Sequence, residues 1–186
     1  SQYGRYFCQT GEGLLFSHDA GICLIKSALD TANISVFMDA SIDPEEDARD
    51  YPGRLLQQQN GVVLVSGHGG RITPIQGNER IELRADRDDQ GDAGIHAFFA
   101  ELGQGVMIIA FSSGGLYVYD DNSRSLEKII SFSLVNDLKS FGEELWIAGD
   151  HVQRIELSED GKPIRNRETF YTNLGEVTTL APFSQR

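Results

Sequence analysis

The sequence is poor in cysteine, proline, tryptophan and basic side chains. Its 186 residues include 2 Cys, 5 Pro and 1 Trp, and 16 basic side chains against 28 acidic ones give a formal net charge of -12. This acidic excess argues against the clustered Lys and Arg with which nucleic-acid binders contact phosphates, so we expect no nucleic-acid partner. Long apolar runs are also missing, since the longest are Val62–Val65 and Val106–Phe111. Neither run could span a bilayer as a helix, and we expect no membrane insertion of this segment.

What the sequence does contain is glycine, 20 residues of it, and a repeated phrase. Four segments begin at Gly13, Gly61, Gly105 and Glu144, and their starts lie 48, 44 and 39 residues apart. Each has a short apolar run, a small polar turn and a second apolar run, a pattern that predicts strands joined by tight turns. A third run follows, and the phrase before the next segment supplies a fourth. Four strands in about 40–45 residues are typical of a β-propeller blade.

The sequence therefore predicts an all-β fold of four consecutive four-stranded propeller-type blades, forming a single propeller domain or a propeller fragment. The blade units cover approximately residues 6–53, 54–94, 95–134 and 135–176, and residues 177–186 start a further strand. Repeats of this kind bury their faces against their neighbours. The array is therefore either a small closed ring or part of a larger seven- or eight-bladed propeller.

One insertion interrupts the repeat. For residues 44–59 we expect an extended loop with one helical turn after Pro44. Residues 39–54 carry 6 acidic and 2 basic side chains. This acidic insertion is either an interaction surface for a basic partner or a solvated loop, which is the commoner role of a charge run.

Three of the four histidines occupy the same place in their repeats. His18, His68 and His151 each follow the first apolar strand. In a propeller such turns gather around one mouth of the central channel, and neutral imidazole is a common metal ligand. We expect a ligand-binding or transition-metal site there, with Asp150 beside His151. The alternative is that these are polar residues of exposed turns.

The acidic segment Asp86–Asp92 resembles the opening of a calcium loop. Asp86, Asp88 and Asp92 supply carboxylates at spaced positions, and Gly91 stands where the chain must turn sharply. The bidentate Glu of an EF-hand is missing, because its position is occupied by Ala97. These residues are a candidate calcium site or a solvated turn, and we expect no other cofactor.

Neither cysteine lies in a metal-binding or redox motif. Cys8 and Cys23 could form a disulfide between adjacent strands of an exported domain, or remain two free thiols that pack as small apolar residues. No serine lies in a Gly-x-Ser-x-Gly elbow, and the glycine-rich segment at Gly67 lacks the lysine of a phosphate loop. We therefore expect a protein that is not an enzyme.

The aromatic residues offer one further candidate set. Trp146, Tyr117, Tyr119 and Tyr171 could stack against a sugar or a peptide. Because Trp146 lies inside an apolar strand, the simpler interpretation is packing between blades.

Two phrases resemble a known family. Leu145–Gly149 (LWIAG) and Gly114–Asp120 (GGLYVYD) are similar to the two halves of the propeller repeat in bacterial two-component-regulator sensors. The resemblance is strongest in residues 94–171. It implies a non-enzymatic recognition module, the sensor propeller portion of a bacterial signalling protein, located in the periplasm or outside the cell. Its partner would then be a small molecule, a glycan or a peptide.

Two other functions remain open. The chain could be an interaction scaffold that docks another protein within a larger cytoplasmic complex. It could also belong to a propeller-based polysaccharide lyase or hydrolase, although no catalytic group stands out. Self-association, or completion of the ring by another segment, would cover the exposed edges of an open array.

Overall fold

The computed structural model describes most of the chain, and the regular structure of the described residues is β-strand apart from one 3-10 turn. The described residues are 6–18, 21–26, 34–39, 41–43, 48–50, 53–67, 70–76, 79–81, 83–84, 97–102, 106–111, 114–132, 134–142, 144–158 and 163–181. They divide into two compact units, the first holding strands β1–β11 and the second holding β13–β19 with β12 from Phe98 onward.

The first unit contains two large antiparallel sheets and a small hairpin. The first sheet has the order β1 (Tyr6–Thr10), β2 (Gly13–His18), β3 (Gly21–Ile25), β4 (Ile34–Asp39). The hairpin joins β5 (Ser41–Asp43) to β6 (Ala48–Asp50). The second sheet has β7 (Leu55–Gln57), β8 (Val63–Ser66) and β9 (Arg71–Gln76), and both β10 (Glu79–Arg80) and β11 (Leu83–Arg84) pair with β9.

The second unit contains two further antiparallel sheets, each of four strands. The third sheet has the order β12 (Ala97–Glu101), β13 (Met107–Phe111), β14 (Gly114–Asp120), β15 (Ser125–Phe132). The fourth has β16 (Asp137–Phe141), β17 (Glu144–Ala148), β18 (Val152–Leu157) and β19 (Pro163–Tyr171), followed by a 3-10 turn at Thr172–Leu174. The predicted all-β fold of consecutive antiparallel propeller-type sheets is confirmed.

Two details differ from the expectation. Within residues 44–59, where we expected an extended loop, the structure has β6, which pairs with β5, and β7, the first strand of the second sheet. Strands of three residues leave no readable alternation in the sequence. The expected helical turn at 44–47 lies outside the described residues. In the second sheet the outermost strand is divided opposite Pro74. The Pro74 carbonyl accepts a hydrogen bond from Ile81 N at 3.3 Å, so the backbone of Pro74 faces this outermost strand. Because proline has no N–H to donate on that side, the pairing is interrupted between β10 and β11.

Each unit has a core between its two large sheets. In the first unit, one face of the first sheet packs against one face of the second, with Cys8 at its margin; the buried residues are Leu15, Ile22, Leu24, Leu55, Val63, Val65 and Ile75. In the second unit the third and fourth sheets do the same, through Phe98, Ala100, Leu102, Ile108, Ala110, Leu116, Val135, Leu138, Leu145, Ile147, Ile155 and Leu157. These residues alternate along their strands, so one face of each sheet contributes to this core. In the second and third sheets the opposite face is buried as well, through residues such as Leu64, Ile72, Met107 and Ile109.

Polar contacts link the first strands of neighbouring sheets in each unit. Gly11 N donates to Gln57 Oε1 at 3.3 Å in the first unit. In the second, the Ser140 hydroxyl donates to the Glu101 carbonyl at 2.7 Å. A close backbone approach also requires glycine at 149, because a Cβ there would lie 2.2 Å from the Leu134 carbonyl oxygen.

Residues after the fourth sheet return to its first strand. Asp137 is 6% exposed, and its Oδ2 accepts from Leu180 N at 2.9 Å and from the Thr179 hydroxyl at 3.2 Å. Val177 N donates to the Gly149 carbonyl at 2.8 Å. Residues 177–181, where we expected a further strand to begin, carry no strand pairing in the structure, and 182–186 lie outside the described residues.

The core of the second unit predicts the effect of a leucine deletion. Leu145 is 0% exposed and Leu174 is 61% exposed. Replacing Leu145 by Ala leaves a cavity and should lower the free energy of unfolding by about 2–5 kcal/mol. The matched L174A variant should change it by less than about 0.5 kcal/mol. Chemical denaturation followed by Trp146 fluorescence measures both, and equal effects of the two substitutions would contradict the packing described.

Candidate recognition surface

The fourth sheet has a polar and aromatic face opposite its core face. Leu145 and Ile147 point into the core, so Glu144 and Trp146, which alternate with them on β17, point the other way. Arg154 pairs with Trp146, and Glu156 pairs with Glu144, which places all four side chains on one side of the sheet. We call this side the fourth-sheet outer face; it consists of Phe141, Glu144, Trp146, Arg154, Glu156 and Tyr171.

Three aromatic rings contact one another on the fourth-sheet outer face. The ring centroids of Trp146 and Tyr171 are 5.9 Å apart with a 13° interplanar angle, so the two rings are stacked. Phe141 meets Trp146 edge-on, at 6.4 Å and 78°. Phe141 is 36% and Tyr171 41% exposed, whereas Trp146 is half-buried between them. The cluster therefore presents aromatic surface to its surroundings from a fixed geometry.

An ionic network lies beside these rings. Arg154 Nη2 donates to a carboxylate oxygen of Glu144 and to Glu156 Oε1, the latter at 3.0 Å. Trp146 Nε1 donates to the other Glu144 oxygen at 3.1 Å. The Arg154 guanidinium holds the pKa of Glu144 below its ordinary value, assisted by the Trp146 N–H. The same hydrogen bond to Glu144 raises the pKa of Arg154.

This arrangement suits recognition better than proton transfer. Glu144 is ionised at neutral pH and accepts hydrogen bonds from two neighbours, so it holds Trp146 and Arg154 in place. Tryptophan, tyrosine and arginine are the side chains enriched where proteins bind other proteins. The network was missed in the sequence, although the alternation Glu-x-Trp followed by Arg-x-Glu could have indicated one shared face.

The predicted histidine set is described only in part. His18 ends β2 in the first unit and is 9% exposed, and His151 lies in the turn before β18 in the second unit, with its ring 5.4 Å from that of Phe170. Asp150 is exposed in the same turn as His151. His68 lies outside the described residues. A shared site for the three imidazoles stays a prediction.

His18 has a neighbour that the sequence did not indicate. Its Nε2 lies 3.1 Å from Cys23 Sγ on the adjacent strand, and its ring lies 5.6 Å from that of Phe16. Neither cysteine is in a disulfide, and both are half-buried. Cys23 pairs with Phe16 while Cys8 pairs with Leu15, so the two thiols lie on opposite faces of the sheet, separated by β2. This placement explains why the Cys8–Cys23 disulfide, one of the two alternatives, does not form.

The predicted metal site cannot be placed. Asp86, Asp88 and Asp92 lie outside the described residues, so the calcium loop stays a prediction. Within the described part of the chain, no group of three or more His, Cys, Asp or Glu side chains could hold a metal ion. Across the same residues, no helix is long and apolar enough to cross a membrane.

The predicted aromatic set separates into two pairs. Tyr117 and Tyr119 are 2% and 3% exposed; the Tyr117 ring meets Phe111 edge-on, and the Tyr119 hydroxyl donates to Asp121 at 2.9 Å. Burial, together with Asp121, raises the pKa of Tyr119. These two tyrosines are interior residues. Trp146 and Tyr171 come together on the fourth-sheet outer face, turned away from the third sheet.

Comparison with known proteins shows the fold. A structure of the mitotic checkpoint complex matches with a TM-score of 0.67 and 14% identity over 95% of this chain and 52% of that one. Virginiamycin B lyase from Staphylococcus aureus matches with a TM-score of 0.64 and 11% identity, over 87% and 54%. The extracellular domain of a hybrid two-component system from B. thetaiotaomicron matches with a TM-score of 0.57 and 14% identity, over 88% and 24%.

The matches are to β-propeller proteins, and the present chain has that fold. The chain spans about half the length of the first two and a quarter of the third. No protein-family model and no curated protein matches the sequence. The three proteins differ in role, so the similarity shows the fold of this chain and does not show its function. Evidence about function must come from the side chains.

Acid should disturb the environment of Trp146 through Glu144. The lowered pKa means that the Glu144 interactions stabilise the fold above the ordinary value of 4.5 and are lost as the pH falls through the lower folded value. Trp146 is the single tryptophan, so its emission reports the change directly. We expect a shift in emission with a midpoint below 4.5 while the far-ultraviolet circular dichroism is still native.

Two glutamine variants separate the causes of this shift. E144Q should remove the transition, because the titrating group is gone. E156Q should retain it, since Glu156 contacts Arg154 but gives no hydrogen bond to Trp146. A transition of unchanged midpoint in E144Q would contradict the assignment.

Proposed function

We propose that this chain is a non-enzymatic recognition module that binds its partner through the fourth-sheet outer face. The observation that carries the proposal is the exposed aromatic cluster Phe141–Trp146–Tyr171 beside the Arg154 network. Rigid aromatic rings lose little conformational entropy on binding, and a guanidinium fixed between two carboxylates is already oriented. Such a surface is suited to a polypeptide, whose backbone amides and apolar side chains use both features.

Two carboxylates of the second unit have structural contacts, which supports a binding function over a catalytic one. Glu144 is committed to Arg154 and Trp146, and buried Asp137 is engaged by Thr179 and Leu180. A general acid or base needs a proton that moves at the working pH, and these carboxylates instead hold structure together.

The finer proposal is a sensor role. The sequence resemblance to two-component-regulator sensors, and the similarity of fold to the extracellular domain of a hybrid two-component system, both support a sensor propeller of a bacterial signalling protein. Such a module would act in the periplasm or outside the cell and bind a peptide, a glycan or a small molecule. No cofactor is needed for this role.

The second candidate is an interaction scaffold inside the cell. It is favoured by the composition of the fourth-sheet outer face, which is that of a protein–protein contact, and by the fold shared with a component of the mitotic checkpoint complex. The two candidates predict different probes: a sensor binds short peptides or oligosaccharides, whereas a scaffold binds folded protein.

Binding to defined probes tests the proposal. The fluorescently labelled protein is applied to an array of immobilised random peptides and to an array of bacterial oligosaccharides, and each hit is then titrated in solution against Trp146 emission. We expect saturable binding of a peptide. Y171A should weaken it by at least about 30-fold, the loss typical of a central aromatic contact worth about 2 kcal/mol.

Phe170 supplies the matched control. It is 52% exposed on β19 and pairs with Gln153, a core-face position, so F170A removes an exposed ring from the other side of the sheet. F170A should bind as the unmodified protein does. Equal binding by Y171A would overturn the use of this surface, and absence of binding on both arrays would overturn the sensor role.

A further inference from the structure

The first sheet carries a thiol–imidazole pair on the side away from its core. Leu15 and Leu24 point into the core of the first unit, while Phe16 and Cys23, their neighbours in sequence, pair with each other on the opposite side. His18 follows Phe16 by two residues and therefore shares that side. Its Nε2 lies 3.1 Å from Cys23 Sγ, within hydrogen-bonding distance for sulfur. A nucleophile and a base in direct contact are the two parts of an activated thiol.

Aromatic rings lie beside this pair, and one of them is largely exposed. Phe7 is 62% exposed, and its ring lies 6.3 Å from that of Phe16, which in turn lies 5.6 Å from His18. Cys23 is half-buried, whereas His18 is 9% exposed. The base is thus held in place by packing, while Cys23 is partly exposed.

Cys8 provides a contrasting thiol in the same sheet. It lies on β1, on the core side, and its sulfur donates to the carbonyl of Gln9 at 3.7 Å. Burial raises the pKa of Cys8 and so disfavours its thiolate. Because the chain has 2 cysteines and they lie on opposite faces, an oxidised Cys23 has no partner thiol within the first sheet.

We propose that Cys23 is a modification site that reacts with small-molecule disulfides, with His18 as its base, to form a stable mixed disulfide. His18 Nε2 accepts the thiol proton, and the Cys23 thiolate attacks one sulfur of the reagent. A new sulfur–sulfur bond forms as the old one breaks, and the leaving thiolate takes the proton from the imidazolium. Cys23 is oxidised and the departing sulfur is reduced, so electrons and protons balance.

The rate of reaction with dithiodipyridine, a neutral aromatic disulfide, tests the site. Single-thiol variants separate the two cysteines: C8S leaves Cys23, and C23S leaves Cys8. We expect Cys23 to react at least about tenfold faster than Cys8 in the folded protein, and both to react equally in guanidinium chloride. Intact-mass measurement should show one adduct on the C8S protein.

The role of His18 is tested in the C8S background. H18F keeps a ring against Phe16 but removes the base, and it should lower the Cys23 rate by about tenfold. H18Q is the second variant, for use if H18F melts at a lower temperature than the C8S protein. Equal rates of the two thiols, or a Cys23 rate unchanged in a folded His18 variant, would overturn the proposal.

Discussion

The alternation of side chains along antiparallel strands is the constraint on which the rest of this structure depends. Each strand sends every second residue to one face, and the core of each unit needs one apolar face from each of its two sheets. In the fourth sheet, Leu145, Ile147 and Ile155 meet that requirement. The residues between them in the fourth sheet are not needed for the core. The opposite face of this sheet can therefore hold charged and aromatic groups at little cost to the fold. Both groups described above, in the first and fourth sheets, lie opposite the core of their unit, whereas the second and third sheets bury both faces.

The first and fourth sheets use this freedom differently. In the fourth, Arg154 lies between two carboxylates and fixes Trp146 through Glu144, which gives a preorganised but chemically quiet surface. In the first, the proposed reactive pair His18 and Cys23 lies among aromatic rings. Both pairs arise because residues on neighbouring strands are brought opposite or diagonal to one another. Strand register, rather than loop composition, determines each group.

Much of the architecture can be predicted from the sequence, because the repeat of apolar runs and glycine turns is a local signal that recurs. The strand Ala97–Glu101 follows from that phase even though its composition also suits a helix. The hairpin at Ser41–Asp43 and Ala48–Asp50 could not be predicted, since its strands are too short to show alternation. The contacts of His18 and Glu144 were missed for a different reason. Each contact depends on the register between two neighbouring strands, which the sequence does not show. A register shift of one residue would move the side chains of a strand to the opposite face of the sheet.

The fold alone leaves the function of this chain open. A similar fold occurs at 11–14% identity in a mitotic checkpoint complex, a lyase and the extracellular domain of a two-component system. Packing of consecutive sheets therefore does not determine which side chains face outward. A buried position such as Leu145 is determined by volume, and many sequences satisfy it. The stack of half-buried Trp146 on exposed Tyr171 meets no such demand of the core. Exposing part of this aromatic surface to water is unfavourable. Under the proposed function a partner covers this stack beside the oriented guanidinium, and this makes the fourth-sheet outer face the part of the molecule where function should first be sought.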